Sequence, residues 1–151
     1  EHSLVSLSKW ESKWNKPFLT NNDKTTEEIL DYIRCMTITQ HVDPNVYMAF
    51  TSDNIKQVMD YIALPMTATT FSNIKNSAPS REIITTELIY YWMIAFNIPV
   101  EFQKWHLNRL LTLIKVCNIK NQKPEKMSKS QIMSRNAALN AARRKKLNTR
   151  G

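Results

Sequence analysis

Apolar residues recur at intervals of three and four along most of this chain, the spacing of the buried face of an α-helix. The pattern predicts helices over residues 9–15, 26–39, 44–50, 53–64, 81–97, 101–119 and 130–147. Residues 4–7, Leu-Val-Ser-Leu, predict a short strand instead. Residues 66–76 are rich in Thr, Ser and Asn and predict an extended loop. We therefore expect a mainly α protein.

Three of these helices begin with the residue pair of a capping box, in which each side chain accepts a hydrogen bond from the other residue's backbone N–H. The pairs are Ser8 with Glu11, Thr25 with Glu28, and Ser128 with Gln131. For the helix of residues 53–64, Ser52 is the expected cap.

The helix predicted over residues 81–97 has apolar residues on nearly every side, which is typical of a helix inside a core or an interface. Pro99 separates it from the helix of residues 101–119, and so short a connection predicts an antiparallel helix hairpin. We expect one helical domain around this central hairpin, with a basic C-terminal helix. The chain is predicted to consist of a body of residues 1–120, a polar linker of residues 121–127 and the basic helix of residues 128–151.

The net positive charge of the chain comes entirely from its C-terminal end. Residues 1–120 contain twelve basic and twelve acidic residues, whereas residues 121–151 contain nine basic residues and one acidic residue, which gives the whole net charge of +8. A neutral body with a basic arm indicates a binding or assembly protein whose arm meets an anionic partner.

Several classes of function lack their sequence signals. The only glycine is Gly151, so a phosphate-binding loop, a dinucleotide fingerprint and a nucleophile elbow are all absent. The most apolar stretch, residues 88–95, is too short to span a membrane. The first residue is Glu1 rather than Met, so we expect the chain to be a fragment of a longer protein.

The chemically reactive residues do not cluster. His2, His41 and His106 have no further ligands at metal-binding spacing, so we expect no metal and no cofactor, and we expect His106 to be a partly buried core or interface residue. Cys35 and Cys117 are expected to be buried thiols, with a single disulfide left open.

The acidic residues also have a structural explanation. Glu27, Glu28 and Asp31 lie in the first turns of a helix, where negative charge is favourable, and we expect them to be solvated. Aromatic residues at positions 90–92 and 105 could stack on bases, but their helical spacing is typical of a core. An enzyme is therefore not expected.

The basic C-terminal helix is the candidate site, through Ile132, Arg135, Leu139, Arg143, Arg144, Lys145 and Lys146. Three roles stay open for it. It could neutralise nucleic-acid phosphates, dock its apolar stripe into a groove on an acidic partner, or form a solvated tail. The stripe favours docking, because a purely electrostatic arm gains nothing from regularly spaced apolar residues.

Four segments carry a resemblance to a known group of proteins. They are Ser-Lys-Trp-Glu-Ser-Lys-Trp at 8–14, Ile-Ile-Thr-Thr-Glu-Leu-Ile-Tyr-Tyr-Trp-Met at 83–93, Trp-His-Leu-Asn-Arg-Leu-Leu at 105–111, and Arg-Asn-Ala-Ala-Leu-Asn-Ala-Ala-Arg-Arg at 135–144. The chain resembles small tailed-phage morphogenesis proteins, and among them the tail assembly chaperones.

That resemblance implies a helical, non-enzymatic protein that binds the tape measure protein and helps to recruit tail tube subunits. It implies a location in the host cytoplasm during phage assembly, or in the virion. Two further alternatives are left open: that the chain forms a homo-oligomer, and that it is a basic virion or regulatory protein that contacts DNA through the arm.

Overall fold

A computed structural model describes residues 1–20, 23–71, 82–121 and 129–148 of the chain. These residues contain seven α-helices and one 3₁₀-helix. In order they are α1 (Leu4–Trp14), α2 (Thr26–Met36), α3 (Asn45–Met48), α4 (Ser52–Ala63), α5 (Thr86–Ala95), the 3₁₀-helix Val100–Lys104, α6 (Leu107–Asn121) and α7 (Lys129–Leu147). The prediction of a mainly α protein is confirmed. The one β-type pairing among the described residues is an isolated antiparallel bridge between Ser3 and His106.

The first helix begins earlier than the sequence pattern predicted. Residues 4–7 are not a strand but the first turn of α1, and its N-cap is Ser3 rather than Ser8. The Ser3 hydroxyl accepts a hydrogen bond from the backbone N–H of Ser6 at 3.3 Å. The apolar run of residues 4–7 fits a strand and a helix equally well, and the cap together with burial of the helix's apolar face selects the helix.

The centre of the body is α1, not the predicted hairpin. Helix α1 packs against α2, α5 and the 3₁₀-helix. Its side chains Leu4, Leu7 and Trp10 are completely buried. Around them lie the remaining buried apolar residues of the core: Phe18, Tyr32, Met36, Ile89, Met93, Leu107, Leu110 and Ile114.

The two helices of the predicted hairpin are both shorter than expected. Helix α5 begins at Thr86, and α6 begins at Leu107 rather than at position 101. Between them lies the 3₁₀-helix, whose C-cap residue Trp105 has an extended backbone conformation. Tertiary contacts override the helical pattern here, because His106 pairs with Ser3 and the backbone N–H of Leu107 donates to the carbonyl of His2 at 2.7 Å.

The remaining helix starts agree in part with the sequence. The Thr25–Glu28 capping box of α2 is confirmed, although α2 ends at Met36 and not at position 39. Helix α4 is capped by Thr51, which forms a capping box with Asn54, and not by Ser52. The predicted box of Ser128 and Gln131 lies outside the described residues and side chains.

The polypeptide turns at asparagine where other proteins use glycine. Asn15 and Asn97 have φ values of 53° and 52°. Asn15 is the C-cap of α1, and its backbone N–H donates to the carbonyl of Glu11. Asparagine is the non-glycine residue that best tolerates this left-handed conformation, so a nearly glycine-free chain can still end its helices sharply.

By its contacts the chain divides into two units, residues 1–120 and residues 121–151. The buried apolar residues of the described chain all belong to the first unit. Helix α7 is the described element of the second unit. Most of the predicted linker, residues 122–127, lies outside the described residues, as do residues 72–76 of the predicted loop.

Candidate partner-binding site

The predicted site residues all lie on α7, a 19-residue helix. Alanines at four positions favour helix formation intrinsically. Arg144, Lys145 and Lys146 lie in its last turn, where the helix dipole favours positive charge. Every α7 side chain whose burial is described is exposed.

Five of the seven predicted residues share one face of α7. Ile132, Arg135, Leu139, Arg143 and Lys146 follow one another at helical spacings of three, four, four and three residues. At 3.6 residues per turn they fall within about 80° of arc and extend along about 21 Å of the helix. Arg144 and Lys145 point away from this face. We call these five residues the striped face of α7.

The striped face combines two kinds of side chain. Ile132 and Leu139 are 44% and 46% exposed, and they are one heptad apart. The cations Arg135, Arg143 and Lys146 lie on the same face, and α7 contains no acidic residue. The opposite face presents small side chains, namely Ser130, Ser134, Ala137 and Ala141. The helix can therefore offer apolar contact and positive charge to a partner along the same face.

The structure brings together two histidines that lie far apart in the sequence. The ring centroids of His2 and His106 are 5.0 Å apart in an edge-to-face arrangement, and both residues are buried. His106 is thus a core residue, in agreement with the sequence analysis. Its partner His2 was missed, because no sequence signal links two positions that are brought together only by the fold.

Two of the three acidic residues at the start of α2 are buried, so the expectation that they are solvated was wrong for Glu28 and Asp31. Lys16 donates to Glu28, and Lys13 donates to Asp31 at 2.7 Å. These lysines come from α1 and from the segment after it. The carboxylates therefore attach α2 to the N-terminal region, which is a structural role.

The same contacts set the protonation of both acids. Hydrogen bonds from the Lys16 side chain and the Thr25 backbone lower the pKa of Glu28. Burial raises the pKa of Asp31, but hydrogen bonds from Lys13 and Trp14 outweigh it, so that the pKa is lowered overall. Both groups are therefore held as carboxylates, not as proton donors.

Glu11 is a buried acid, although the sequence pattern predicted it only as the partner of Ser8 in a capping box. One carboxylate oxygen accepts from the backbone N–H of Phe18 at 2.8 Å. The other accepts from the N–H and the hydroxyl of Thr86, at 2.9 and 2.8 Å. Glu11 thereby fixes the start of α5 on α1. The only sequence signal for this role was an acid on the apolar face of a helix.

Helix α5 is less enclosed than its composition suggested. Ile89 and Met93 are buried, but Tyr91 and Ile94 are 63% and 76% exposed. Trp105 was a candidate for base stacking. Its ring stacks on that of Phe102, with the two centroids 4.0 Å apart, and the Arg109 guanidinium lies 4.1 Å from the Trp105 centroid. That ring contributes to the fold.

A groove with a volume of about 610 Å³ lies between α2, α3 and α4. Most of its lining is apolar, including Ile33, Phe50 and Val58, and Glu1 and Tyr61 are its ionisable residues. Within the described ranges no three His, Cys, Asp or Glu residues are placed to hold a metal ion. Cys35 and Cys117 are free thiols and form no disulfide, and both are half-buried rather than buried as expected.

None of the helices in the described part of the chain is both long and apolar enough to cross a membrane. The chain matches no protein-family model, no curated protein and no solved structure.

Proposed function

We propose that this protein is a non-enzymatic assembly factor that docks α7 into a groove on an acidic partner protein. The observation that carries the proposal is the striped face, where Ile132 and Leu139 lie in line with three cations on a helix without acids. Helix-in-groove recognition uses regularly spaced apolar anchors of this kind.

The striped face defines the partner's chemistry. Ile132 and Leu139 are about 10 Å apart along the helix, so the groove needs two apolar pockets at that separation. Full burial of an exposed aliphatic side chain contributes about 1.5–3 kcal/mol, and because Ile132 and Leu139 are 44% and 46% exposed, docking would gain roughly half of that from each. Carboxylates along one rim would face Arg135, Arg143 and Lys146 and would set the direction of the helix in the groove.

The resemblance to tail assembly chaperones supports a specific partner. We propose a tape measure or tail tube protein of a tailed phage, bound in the host cytoplasm during assembly or retained in the virion. A neutral body with one exposed basic helix suits a protein that presents a docking element and holds no substrate.

Co-purification from infected cells tests this proposal. The double variant Ile132→Ser/Leu139→Ser should lose at least nine tenths of the tape measure or tail tube protein recovered with the chain. Ala137→Ser/Ala141→Ser, on the opposite face of α7, is the matched control and should recover as much as the unchanged protein. Equal recovery with both double variants would contradict docking through the striped face.

Nucleic-acid binding is a second candidate function, favoured by the four consecutive cations at positions 143–146. An arm that neutralises phosphates should bind duplex DNA less tightly as salt rises. Fluorescence anisotropy at 50 and 200 mM salt measures this dependence. If the arm binds DNA, replacing the four cations with alanine should abolish the anisotropy change, whereas Ile132→Ser/Leu139→Ser should leave it unchanged. If α7 docks on a protein, Ile132→Ser/Leu139→Ser is instead the variant that should lose the partner in co-purification.

A further inference from the structure

The contact between His2 and His106 lies at a junction of several elements. His2 is 1% exposed and His106 is 6% exposed. The Nδ1 atom of His2 is hydrogen-bonded to the hydroxyl of Tyr32 on α2 at 2.6 Å. On the other side, Nε2 of His106 lies 3.3 Å from the carbonyl of Tyr61 on α4.

The backbone joins the same elements. The carbonyl of His2 accepts from the N–H of Leu107, the first residue of α6, at 2.7 Å. Next to it, the Asn108 side chain donates to the carbonyls of Ile62 and Leu64, both at 2.8 Å. The two imidazoles therefore sit where the N-terminal segment, α2, the end of α4 and the start of α6 meet.

The tautomer of His106 follows from its partner. A carbonyl oxygen can only accept, so Nε2 of His106 carries the hydrogen and Nδ1 carries a lone pair. This Nδ1 atom is buried and has no hydrogen-bond partner among the described residues. A buried acceptor without a partner is costly.

The charged and titratable groups around the pair do not compensate for a new cation. Tyr32 and Tyr61 face the rings as neutral phenols, and burial raises the pKa of both. Burial lowers the pKa of His2, and the neighbouring imidazole of His106 lowers it further. The carboxylate of Glu1 is engaged by the hydroxyl of Tyr61 at 2.9 Å.

We propose that the His2–His106 contact is an acid-sensitive latch, in which protonation of His2 against the His106 ring releases the N-terminal segment and the start of α6 from α2 and α4. Two imidazoles in edge contact cannot both accept charge in a buried site without strong repulsion. The packing of α1 on α2 does not depend on them. It is held by the Trp10 indole, which donates to the carbonyl of Glu28 at 2.9 Å, and by the pair of Lys13 and Asp31.

Hydrogen–deuterium exchange of the full chain at pH 7 and pH 4 tests the latch. After correction for the intrinsic rates, the amide protection of Leu107 and Leu110 should fall at least tenfold at pH 4. Amides inside α2, such as that of Ile33, should lose less than threefold. A uniform loss across the body, or no loss at Leu107, would overturn the proposal.

Two conservative substitutions identify the histidines as the cause. His2→Asn keeps a polar atom near the Nδ1 position, and His106→Gln keeps a donor near the Nε2 position, while neither side chain titrates. The double variant should show the same protection of Leu107 at both pH values. The matched control His41→Asn, at an exposed position with a φ of 56° that asparagine tolerates, should behave like the unchanged protein.

A measurement on the unchanged protein covers the case in which the double variant does not fold. In an NMR titration, the ring resonances of His2 should change at a pH well below the value of about 6.5 for a model peptide. The amide resonance of Leu107 should change over the same pH range. A His2 titration at the model value, or one that leaves Leu107 unaffected, would overturn the latch.

Discussion

At the scale of single residues, buried polar side chains decide where the elements of this body dock. The carboxylate of Glu11 accepts hydrogen bonds from Phe18, seven residues later in the sequence, and from Thr86, 75 residues later. The Trp10 indole N–H donates a hydrogen bond to the backbone carbonyl of Glu28 in α2. Each of these groups satisfies donors or acceptors that burial would otherwise leave unpaired.

Glu11→Ala should lower the free energy of unfolding by about 3 kcal/mol or more, because it leaves three buried donors without an acceptor. Urea denaturation followed by tryptophan fluorescence measures the change. Ser12→Ala, at the next and exposed position of α1, is the control and should stay within about 0.5 kcal/mol. A loss below about 1 kcal/mol for Glu11→Ala would show that Glu11 does not fix α5 on α1.

His2 should make stability depend on pH. Burial, followed by the electrostatic effect of the neighbouring His106, lowers the pKa of His2 from 6.5 to about 4 in the folded protein. The unfolded chain therefore binds a proton that the folded chain does not, and stability falls as the pH drops from about 6.5 towards 4. The loss from this residue reaches about 3 kcal/mol at pH 4.

Urea denaturation at pH 7 and pH 4 measures that loss, with His2→Asn as the comparison. The variant should retain more of its pH 7 stability at pH 4 than the unchanged protein does. If both lose the same amount, His2 is not the group responsible.

At the scale of secondary-structure elements, local signals fixed some helix ends and tertiary contacts fixed others. Helix α2 begins where its capping box predicted, since Thr25 and Glu28 are neighbours along the chain. Helix α6 begins six residues later than predicted, since His106 and Leu107 bind the N-terminal segment. A capping box acts over three residues, whereas the start of α6 depends on partners about a hundred positions away.

Thr25→Ala should lower the free energy of unfolding by about 1 kcal/mol, the usual contribution of an N-cap side chain. The Thr25 hydroxyl accepts from the N–H of Glu28 at 3.2 Å, and alanine cannot replace it. Thermal denaturation followed by circular dichroism measures the shift. Thr26→Ala, one residue later on the exposed first turn, should be neutral or slightly stabilising, and equal shifts for the two variants would argue against the cap.

At the scale of the whole molecule, the core and the candidate site belong to different units of the chain. The buried apolar residues lie within residues 1–120, and the striped face lies on α7 in residues 121–151. Stability and partner binding should therefore respond to different substitutions.

A chain shortened to residues 1–121 should keep the cooperative thermal unfolding of the full chain, with a midpoint within about 3 °C, because no buried apolar residue of the described core is removed. Circular dichroism at 222 nm as a function of temperature measures this. The striped-face variant Ile132→Ser/Leu139→Ser serves as the full-length comparison and should also keep the midpoint. Loss of cooperative unfolding on shortening would show that the body needs residues 122–151.

The sequence by itself determined the helical class, the capping of α2, the position of the basic helix and the residues of its striped face. Those features depend on periodicity and on neighbours within a few positions, which a single sequence displays. Only the tertiary structure decided that α1 is the centre, that Glu28 and Asp31 are buried, and that His2 meets His106. The reason is physical: these contacts join groups far apart along the chain, and their stability comes from burial that exists only once the helices have packed.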